Sequence, residues 1–568
     1  MKAYFQQFQQ LAAAGRYEDL AQLPIPKPEY FNWTADIFEG LHAAAHPAKA
    51  ALRLVGDEAE PAESYSYAAL SGHANRLLNY WRARGVQPGQ AVLLMVPVVA
   101  ELWFTYLAGI KGGQVLIPTA TIMTVPDLQY RFGRLLPAVV IADADNAAKI
   151  DEAEAALGAQ IPLKMLVGAG PRPGWAGFEE TQAYPATAEP APTRSDDPLF
   201  LFFTSGTTGL PKVVTHTHFS YPVGHLSTAA WIGVGPDDLH CNISQAGWAK
   251  FAWSSFFAPL SVGAALLVYR QAGKFAAPPL LRALQREGAT TFCAPPTVLR
   301  LLILEDLAAY QFQFRECVSA GEPLNPEVIE AWQRGTGRLI RDGYGQTEST
   351  AMVYNLPGSA VRFGSMGRPS FMYDIVIADD EGRELPALEE GHIAVRMDTG
   401  RPNGIFKEYF GEPERGATVF RHGLYYTGDK AYRDADGYVW FVGRDDDVIK
   451  SSDYRVGPFE VESALIDHPA VVEAAVVGSP HSIKGHEIKA FVILHPSSPA
   501  SEALAEELFA FARQQLAPYK MPRILEFVAE LPKTISGKIR RVELRAQEEQ
   551  HRRHGSPEPR QEYFYVKK

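Results

Sequence analysis

The sequence predicts an α/β fold, in which a large N-terminal domain of several α/β subdomains precedes a small α+β C-terminal domain. Short apolar segments alternate with helical segments between residues 65 and 400, a pattern typical of α/β layers. A separate pattern of helices and strands begins after a charged break near Arg444. The chain of 568 residues is also too long for one ordinary core, so two or more domains are expected.

The first region is predicted to hold buried strands at Ala91–Val96, Val115–Pro118, Val139–Ala142, Leu199–Phe203, Ala264–Val268 and Thr290–Cys293. Val99–Ile110 has helical spacing between the first two strands. The most hydrophobic stretch, Ala91–Gly109, is interrupted by Pro97 and Glu101. We therefore expect a strand and a core helix there and no stable membrane insertion. Ala183–Pro198 is rich in proline and alanine and predicts an exposed connector.

The second region follows Gly443–Asp447, a glycine with four charged residues that cannot continue a buried strand. We expect a domain boundary there, with residues 1–445 in the N-terminal domain and residues 446–568 in the C-terminal domain. The C-terminal domain is predicted to contain helices Pro458–Asp467 and Glu502–Leu516 and strands Val471–Val477, Ala490–Leu494 and Ile524–Phe527. The charged tail after Arg541 predicts a surface helix with a loose terminus.

Composition narrows the class of protein. Lys+Arg 54 against Asp+Glu 65 gives a net charge of −11, which argues against a nucleic-acid partner. Cys241, Cys293 and Cys317 show neither a disulfide framework nor metal-ligand spacing, which favours a reducing compartment. The first residues lack the pattern of a secretory signal, so a cytoplasmic location is expected. The oligomeric state stays open, with a homodimer as one arrangement.

A loop rich in glycine and hydroxyl groups follows the strand Leu199–Phe203. It contains Thr204, Ser205, Gly206, Thr207, Thr208, Gly209 and Lys212. Glycines let backbone N–H groups turn toward an anion, hydroxyls donate hydrogen bonds and lysine supplies charge. The loop is not a Walker loop, because the Gly-Lys-Ser/Thr ending is missing. A flexible turn would explain the glycines alone, whereas the whole set predicts a polyphosphate site.

The chain resembles the acyl-adenylate-forming (AMP-binding) superfamily of acyl-CoA synthetases, luciferase and peptide-synthetase adenylation domains. After the phosphate loop, the resemblance rests on Tyr344–Glu348 (YGQTE), Tyr426–Asp429 (YTGD), Gly443–Asp447 (GRDDD) and Pro532–Lys538 (PKTISGK), in the family's order. Within the superfamily it looks most like the medium-chain acyl-CoA synthetases. The matching stretches are Pro28–Asn32, Ser319–Leu324, Arg401–Ile405 and Ser451–Glu462.

The resemblance implies a set of contacts to ATP. Thr204 to Gly209 and Lys212 would hold the β- and γ-phosphates. The other implied ATP residues are Gly321, Glu322, Pro323, Asp342, Gly343, Tyr344, Gln346, Thr347, Glu348, Asp429 and Arg444. Among these, Tyr344 would lie on the adenine face, and Asp429 with Arg444 would bind the ribose. Thr347 would contact the α-phosphate, and Glu348 would bind Mg²⁺.

Lys538 is the implied catalytic lysine, acting with Thr347 and Glu348. Adenylation brings a carboxylate to an α-phosphorus that already carries negative charge, so cations must spread over the developing oxyanions. A lysine on a short loop, as Lys538 is predicted to be, suits contact with both anions. Two unit charges about 4 Å apart interact by about 4 kcal/mol at an effective dielectric near 20, or roughly a thousandfold in rate.

The resemblance also implies a hinge at Asp446, about which the small domain rotates between the two half-reactions. Lys450 would enter the site in the second conformation, and Arg455 would lie on the CoA side. Many relatives carry glycine where this chain has Asp453, beside the expected path of the pantetheine arm. Either that tunnel takes an adjusted path or the acceptor is not ordinary CoA, and we favour the adjusted path.

The acyl pocket is expected beside an aromatic segment between the phosphate loop and the adenine motif. Trp253, Phe256 and Phe257 are expected in the core, whereas Trp248 and Lys250 are the candidates for the pocket wall. A large ring would shorten the cleft and favour short, branched or medium acyl groups. Lys250 could cap the pocket or pair with a polar substituent on the acid.

Together these features predict activation of a short-, branched- or medium-chain acid to acyl-AMP, then thioester formation with CoA. The expected cofactors and co-substrates are ATP, Mg²⁺ and coenzyme A, and the expected partner is a small carboxylic acid. Alternatives are an aryl-acid (benzoate-like) CoA ligase and a stand-alone enzyme that loads a carrier protein. A non-catalytic ATP-sensing module is disfavoured, because Lys212, Glu348, Asp429, Arg444 and Lys538 are all present.

Overall fold

The computed structural model describes residues 1–56, 61–168, 170–204, 211–271, 273, 275–398, 400–451, 454–481, 485–533, 538–554 and 560–565. Within these residues, helices and strands form a mixed α/β structure, which confirms the predicted fold class.

The first seventeen strands are β1 (Ala50–Val55), β2 (Glu63–Ser66), β3 (Ala91–Met95), β4 (Val115–Pro118), β5 (Val139–Asp143), β6 (Leu163–Val167), β7 (Ala176–Gly177), β8 (Pro198–Thr204), β9 (Lys212–Thr217), β10 (Leu239–Asn242), β11 (Ala265–Tyr269), β12 (Thr291–Ala294), β13 (Glu316–Ala320), β14 (Ile340–Gly345), β15 (Ala351–Tyr354), β16 (Arg368–Pro369) and β17 (Ile375–Ala378). The later strands are β18 (Gly391–Arg396), β19 (Glu408–Tyr409), β20 (Phe420–Arg421), β21 (Leu424–Arg433), β22 (Val439–Arg444), β23 (Ile449–Ser451), β24 (Tyr454–Val456), β25 (Val471–His481), β26 (Gly485–Leu494), β27 (Ile524–Phe527) and β28 (Glu562–Phe564).

The α-helices are α1 (Lys2–Ala13), α2 (Tyr17–Leu20), α3 (Tyr67–Ala83), α4 (Ala100–Gly112), α5 (Val125–Arg134), α6 (Ala144–Ala156), α7 (Ser220–Ile232), α8 (Ala249–Ala252), α9 (Ala258–Ser261), α10 (Ala277–Glu287), α11 (Pro296–Leu302), α12 (Pro326–Thr336), α13 (Pro413–Val419), α14 (Pro458–Ile466), α15 (Glu502–Gln515) and α16 (Arg541–His554). Thr34–Ala43 and Trp253–Phe257 are π-helical, and Phe178–Ala183 and Leu307–Ala309 are 3₁₀-helical.

Two large sheets form the body of the N-terminal part. One has the order β19-β9-β8-β4-β3-β5-β6-β7 and the other has the order β16-β15-β14-β13-β12-β10-β11-β1-β2. Helices α4 and α7 are buried on nearly every side and belong to one apolar core that both sheets share. The hydrophobic stretch from Ala91 is thus a strand and a core helix, as predicted. Across the described residues, no helix is long and apolar enough to cross a bilayer.

A third sheet connects this body to the C-terminal part. Strands β17, β18, β21 and β20 are antiparallel neighbours, and β22 pairs with β21. In the β21–β22 register, Asp429 lies opposite Arg444. The predicted ribose-binding pair is therefore placed by an antiparallel ladder, next to a register shift between Lys430 and Ala431.

The C-terminal sheet has the order β24-β23-β26-β27-β28, with β25 beside β26, and it has its own apolar core. The predicted helix after Arg541 is present as α16, whereas the expectation of a loose terminus was wrong for the described residues. Residues 562–564 form β28 against β27, and the side chain of Glu548 on α16 is fully buried. The cause is Lys489, whose Nζ lies 2.6 Å from Glu526 and from Glu548 and also pairs with Glu562. This buried ion cluster holds the tail to the sheet.

Candidate active site

Asp429 on β21 lies at the centre of a buried hydrogen-bond network. Its Oδ2 accepts a hydrogen bond from the Tyr344 hydroxyl at 2.6 Å and from Gln346 Nε2 at 2.5 Å. Arg444 Nε lies 3.8 Å from Oδ1. Burial raises the pKa of Asp429, whereas the Arg444 cation acts to lower it. The network holds an acidic group of fixed direction at the predicted ATP site.

Gln346 is itself held on more than one side. Its Nε2 also donates to the Thr427 carbonyl at 2.9 Å, and its Oε1 accepts from the Tyr425 hydroxyl at 3.0 Å. The neighbouring Gly345 packs so tightly that a β-carbon there would collide with Trp253. Glycine is therefore required for the strand to pass this point.

Glu348 and Thr347 are oriented by residues from other elements. The Tyr409 hydroxyl donates to Glu348 Oε1 at 2.9 Å, and Lys212 Nζ lies 5.4 Å from the centre of the Tyr409 ring. His216 donates from Nε2 to the Thr347 carbonyl at 2.7 Å. Burial lowers the pKa of His216 to about 3, so it stays neutral and acts as a structural partner of this segment.

The described ends of the phosphate loop meet in a β-ladder. Thr204, the last residue of β8, pairs with Lys212, the first residue of β9. The predicted phosphate ligands between them, Ser205, Gly206, Thr207, Thr208 and Gly209, lie outside the described residues. The described chain thus brings the first hydroxyl and the lysine of the loop side by side.

The predicted ATP residues Gly321–Pro323 follow β13, and Asp342 and Gly343 lie within the neighbouring strand β14. Gly321 has a φ of 111°, which favours glycine, and Pro323 is half-buried beside it. Glu322 accepts from the Thr297 hydroxyl at 2.9 Å. Asp342 is buried, its Oδ1 accepts from the backbone N–H of Gly343 at 2.9 Å, and burial raises its pKa well above the ordinary range. These neighbouring segments form one wall of the predicted ATP site.

Lys250 links this wall to the predicted acyl pocket. Its Nζ donates to the Ala320 carbonyl at 2.8 Å. Burial lowers the pKa of Lys250, while the Glu322 and Asp342 carboxylates act to raise it. The half-buried Trp248 instead packs against the core of the eight-stranded sheet.

Trp253, Phe256 and Phe257 are buried, as expected for core residues. They form part of the apolar core that both large sheets share. Trp248, in contrast to these three rings, is half-buried, so it stays a candidate for the pocket wall.

Lys538 is exposed, and its charge acts on residues of the predicted ATP site. Burial raises the pKa of Asp429, and the charges of Arg444 and Lys538 lower it. The charge of Lys538 also contributes to the lowered pKa of Lys250, after burial itself. Lys538 therefore lies near Asp429 and Lys250.

Three consecutive aspartates connect the third sheet to the C-terminal part. Asp445 pairs with Lys430 at 2.9 Å, and Asp446 accepts from Arg444 Nε at 3.4 Å. Asp447 pairs instead with Arg545 on α16. The predicted hinge residue is thus flanked by two aspartates with different partners.

The predicted CoA side lies on the β23–β24 hairpin. Lys450 and Arg455 are exposed and paired in register, whereas Asp453 lies outside the described residues. Tyr454 stacks on Tyr519 with ring centres 4.5 Å apart. Sequence reasoning missed this aromatic pair, and it also missed Tyr409 and Tyr425. No motif assigns a role to these tyrosines; the sequence shows only that some of them lie beside a recognised motif or on a neighbouring strand.

Comparison with known proteins matches this arrangement. The model of the AMP-binding enzyme family matches residues 41–410, and that of the AMP-binding enzyme C-terminal domain matches residues 460–538. The chain is 49 % identical over 531 residues to 4-hydroxybutyrate–CoA ligase 1 of Metallosphaera sedula, covering 92 % of each protein. It is 40 % identical to the human mitochondrial acyl-coenzyme A synthetase ACSM5, covering 94 % of this chain and 96 % of that protein.

Solved structures of CoA ligases have the same fold as this chain. An anthranilate CoA ligase in complex with anthranoyl-AMP superposes with a TM-score of 0.85 at 31 % identity, covering 93 % of this chain and 99 % of that one. A benzoate CoA ligase from Burkholderia xenovorans gives 0.79 at 30 % identity, covering 91 % and 100 %. The predicted resemblance and two-step activity are confirmed. The chain belongs to the AMP-binding enzyme family and is an AMP-forming acyl-CoA synthetase that uses ATP, Mg²⁺ and coenzyme A.

Proposed function

We propose that the substrate is a short carboxylic acid with a hydroxyl group remote from its carboxylate. The observation that carries this proposal is Lys250, a half-buried lysine at the proposed pocket wall. Among the described residues, the hydrogen bond recorded for its Nζ is to Ala320, so N–H donors remain for a ligand. A relative that is 49 % identical is named a 4-hydroxybutyrate–CoA ligase, which supports the same class of acid.

An aryl acid is the second candidate substrate. The anthranilate and benzoate CoA ligases match the fold with TM-scores of 0.85 and 0.79. An amino group on a ring could also meet the Lys250 region through an ordered water. Unsubstituted medium-chain acids are the third candidate substrates, because an alkyl chain cannot accept a hydrogen bond from the Lys250 ammonium group.

The test is AMP release with CoA across matched acids: 4-hydroxybutyrate, butyrate, octanoate, benzoate and anthranilate. We expect the highest kcat/KM for 4-hydroxybutyrate, at least tenfold above butyrate, since one hydrogen bond to a charged group contributes about 1.5–3 kcal/mol. Lys250→Met should erase that difference without lowering the rate with butyrate. A preference for octanoate or benzoate in the unchanged enzyme would refute the hydroxy-acid proposal.

We assign the nucleotide roles from the network described above. Asp429 and Arg444 bind the ribose, and Tyr344 lies on the adenine beside the wall from Gly321 to Pro323 and from Asp342 to Gly343. Gln346 fixes the direction of Asp429. Thr204, the loop residues Ser205 to Gly209 and Lys212 hold the outer phosphates. Support comes from the burial and mutual hydrogen bonding of the described members.

Glu348 is the residue that would hold Mg²⁺. Its half-buried carboxylate receives one hydrogen bond among the described residues, at Oε1 from Tyr409, which leaves Oε2 for a cation. When bound, the ion supplies positive charge beside the transferring phosphoryl group. Tyr409 keeps the carboxylate in one orientation, and Thr347 presents its hydroxyl from the same segment.

Lys538 acts in adenylation. Its charge lies near Asp429 and Lys250, between the nucleotide and acyl sides of the cleft. From there it draws the acid carboxylate and the α-phosphate together and stabilises the charge that develops as the carboxylate oxygen bonds to phosphorus and pyrophosphate leaves.

Thioester formation follows rotation at Asp446, between a domain of residues 1–445 and one of residues 446–568. Lys450 and Arg455 then face the incoming CoA, and the stacked pair Tyr454 and Tyr519 offers an exposed surface for its adenine. We assign Asp453, which lies outside the described residues, to the side of the site that CoA approaches. We place the reaction in the cytoplasm.

A further inference from the structure

Helix α16 contacts the hinge flank and follows the proposed catalytic lysine closely in the chain. It begins at Arg541, just after Lys538 in the chain. Arg545 on this helix pairs with one oxygen of Asp447, and Arg541 Nη1 lies 3.7 Å from the other. The Asp447 side chain is only 14 % exposed, so these pairs are partly shielded from solvent.

Arg541 is also fixed to the core of the C-terminal part. Its Nη2 donates to both oxygens of Glu462 on α14, at 2.7 and 2.9 Å. Glu462 is buried and accepts from the backbone N–H of Val476 at 2.8 Å. A planar guanidinium held by two carboxylates has little freedom to shift. The first turns of α16 are therefore bound to the hinge flank and to the sheet together.

The other flank of the hinge is bound to the large N-terminal body. Asp445 pairs with Lys430 at 2.9 Å, and its backbone N–H donates to the Gly428 carbonyl at 3.0 Å. Asp446 has a longer, local contact: its carboxylate accepts from Arg444 Nε at 3.4 Å, two residues earlier in the chain. The anchored flanks confine backbone rotation to the residue between them.

We propose that Asp447, Arg541 and Arg545 are positioning residues that make the hinge, α16 and the Lys538 loop move as one body. This inference rests on the roles proposed above for Lys538 and Asp446. With the link intact, each rotation returns Lys538 to the same place. Without the link, the hinge can rotate and leave Lys538 short of its position for adenylation. A misplacement of about 1 Å can cost on the order of 100-fold in rate, so adenylation is the step that suffers.

The first experiment separates the two half-reactions in Arg545→Ala. Acid-dependent pyrophosphate exchange should fall about tenfold to a hundredfold, while thioester formation from supplied acyl-AMP stays within about twofold. Asp447→Asn should behave alike, and Arg545→Lys should recover part of the exchange rate. Arg553→Ala is the matched control, because Arg553 lies on the same helix, has a side chain that is 71 % exposed and is paired, among the described residues, with Glu549.

The second experiment combines Arg545→Ala with Lys538→Ala. If the link acts through the lysine, Arg545→Ala causes no further loss of adenylation once Lys538 is gone. An additive loss, or an equal loss in both half-reactions, would show a merely structural role and overturn the inference alone. A Lys538→Ala enzyme that keeps full adenylation would instead overturn the role proposed for Lys538, and this inference with it.

Discussion

The nucleotide half of the site and the lysine half are built in opposite ways. Asp429 is 5 % exposed and held by Tyr344 and Gln346 through hydrogen bonds within one body. Lys538 is exposed, on a loop of the C-terminal part, and reaches the cleft through its charge. Under the roles proposed above, the first half is already arranged when ATP binds, whereas rotation at Asp446 brings Lys538 into place. Mutations around Asp429 should therefore impair ATP binding, whereas mutation of Lys538 should impair the adenylation step.

The largest effect is expected for Lys538→Ala. Adenylation should fall roughly a thousandfold, since about 4 kcal/mol of charge interaction is removed from the transition state. Thioester formation from supplied acyl-AMP should be largely spared, because that step does not use the lysine. Pyrophosphate exchange and single-turnover thioester assays measure the two steps. Equal losses in both would contradict the division between a preformed and a delivered half.

Lys489→Met tests whether the body that delivers Lys538 is rigid. The change leaves Glu526, Glu548 and Glu562 buried with less positive charge, which should destabilise this part by about 3 kcal/mol. Hydrogen exchange of the β26 amides measures the local opening energy.

Lys27→Met serves as the control for Lys489→Met, because the pair of Lys27 with Asp196 is exposed. It should shift exchange by less than about 0.5 kcal/mol. Unchanged exchange in Lys489→Met would show that the ion cluster does not stabilise the C-terminal part.

The two halves also differ in how far the sequence predicted them. The nucleotide residues lie in short contiguous motifs such as Tyr344–Glu348, where residue type and order carry the chemistry. The buried strands were predicted because apolar runs report burial directly; β4 and β27 have the expected bounds. The Lys489 cluster combines charged residues from distant elements, and charge in a sequence predicts exposure. That is why the C-terminal tail was expected to be loose.

Asp447 shows the same limit at shorter range. As one of three consecutive aspartates it resembled a solvated loop charge, yet its partners Arg541 and Arg545 lie on α16. Pairing across such a separation depends on the tertiary fold, which no local pattern encodes.

Asp429→Asn probes the preformed half and should act on ATP binding. The change removes the negative charge that faces Arg444 and weakens the acceptor for the Tyr344 hydroxyl. The KM for ATP should rise about thirtyfold, which corresponds to about 2 kcal/mol. Steady-state kinetics at saturating acid and CoA measure this change. Asp374→Asn, at an exposed position beside the same sheet, should leave the KM for ATP unchanged. A fall in kcat with an unchanged KM would place Asp429 in catalysis instead.

The smallest effect is expected for Tyr409→Phe, which removes the hydroxyl that donates to Glu348. Without that bond the carboxylate samples more orientations, so the concentration of Mg²⁺ needed for half-maximal rate should rise about fivefold, or about 1 kcal/mol. Saturating Mg²⁺ should restore the rate. Tyr425→Phe, which loses its bond to Gln346, should raise the KM for ATP and leave the Mg²⁺ requirement as it was. If both variants change the Mg²⁺ requirement alike, the two tyrosines support one shared network, and the preformed half cannot be divided into a ribose side and a metal side.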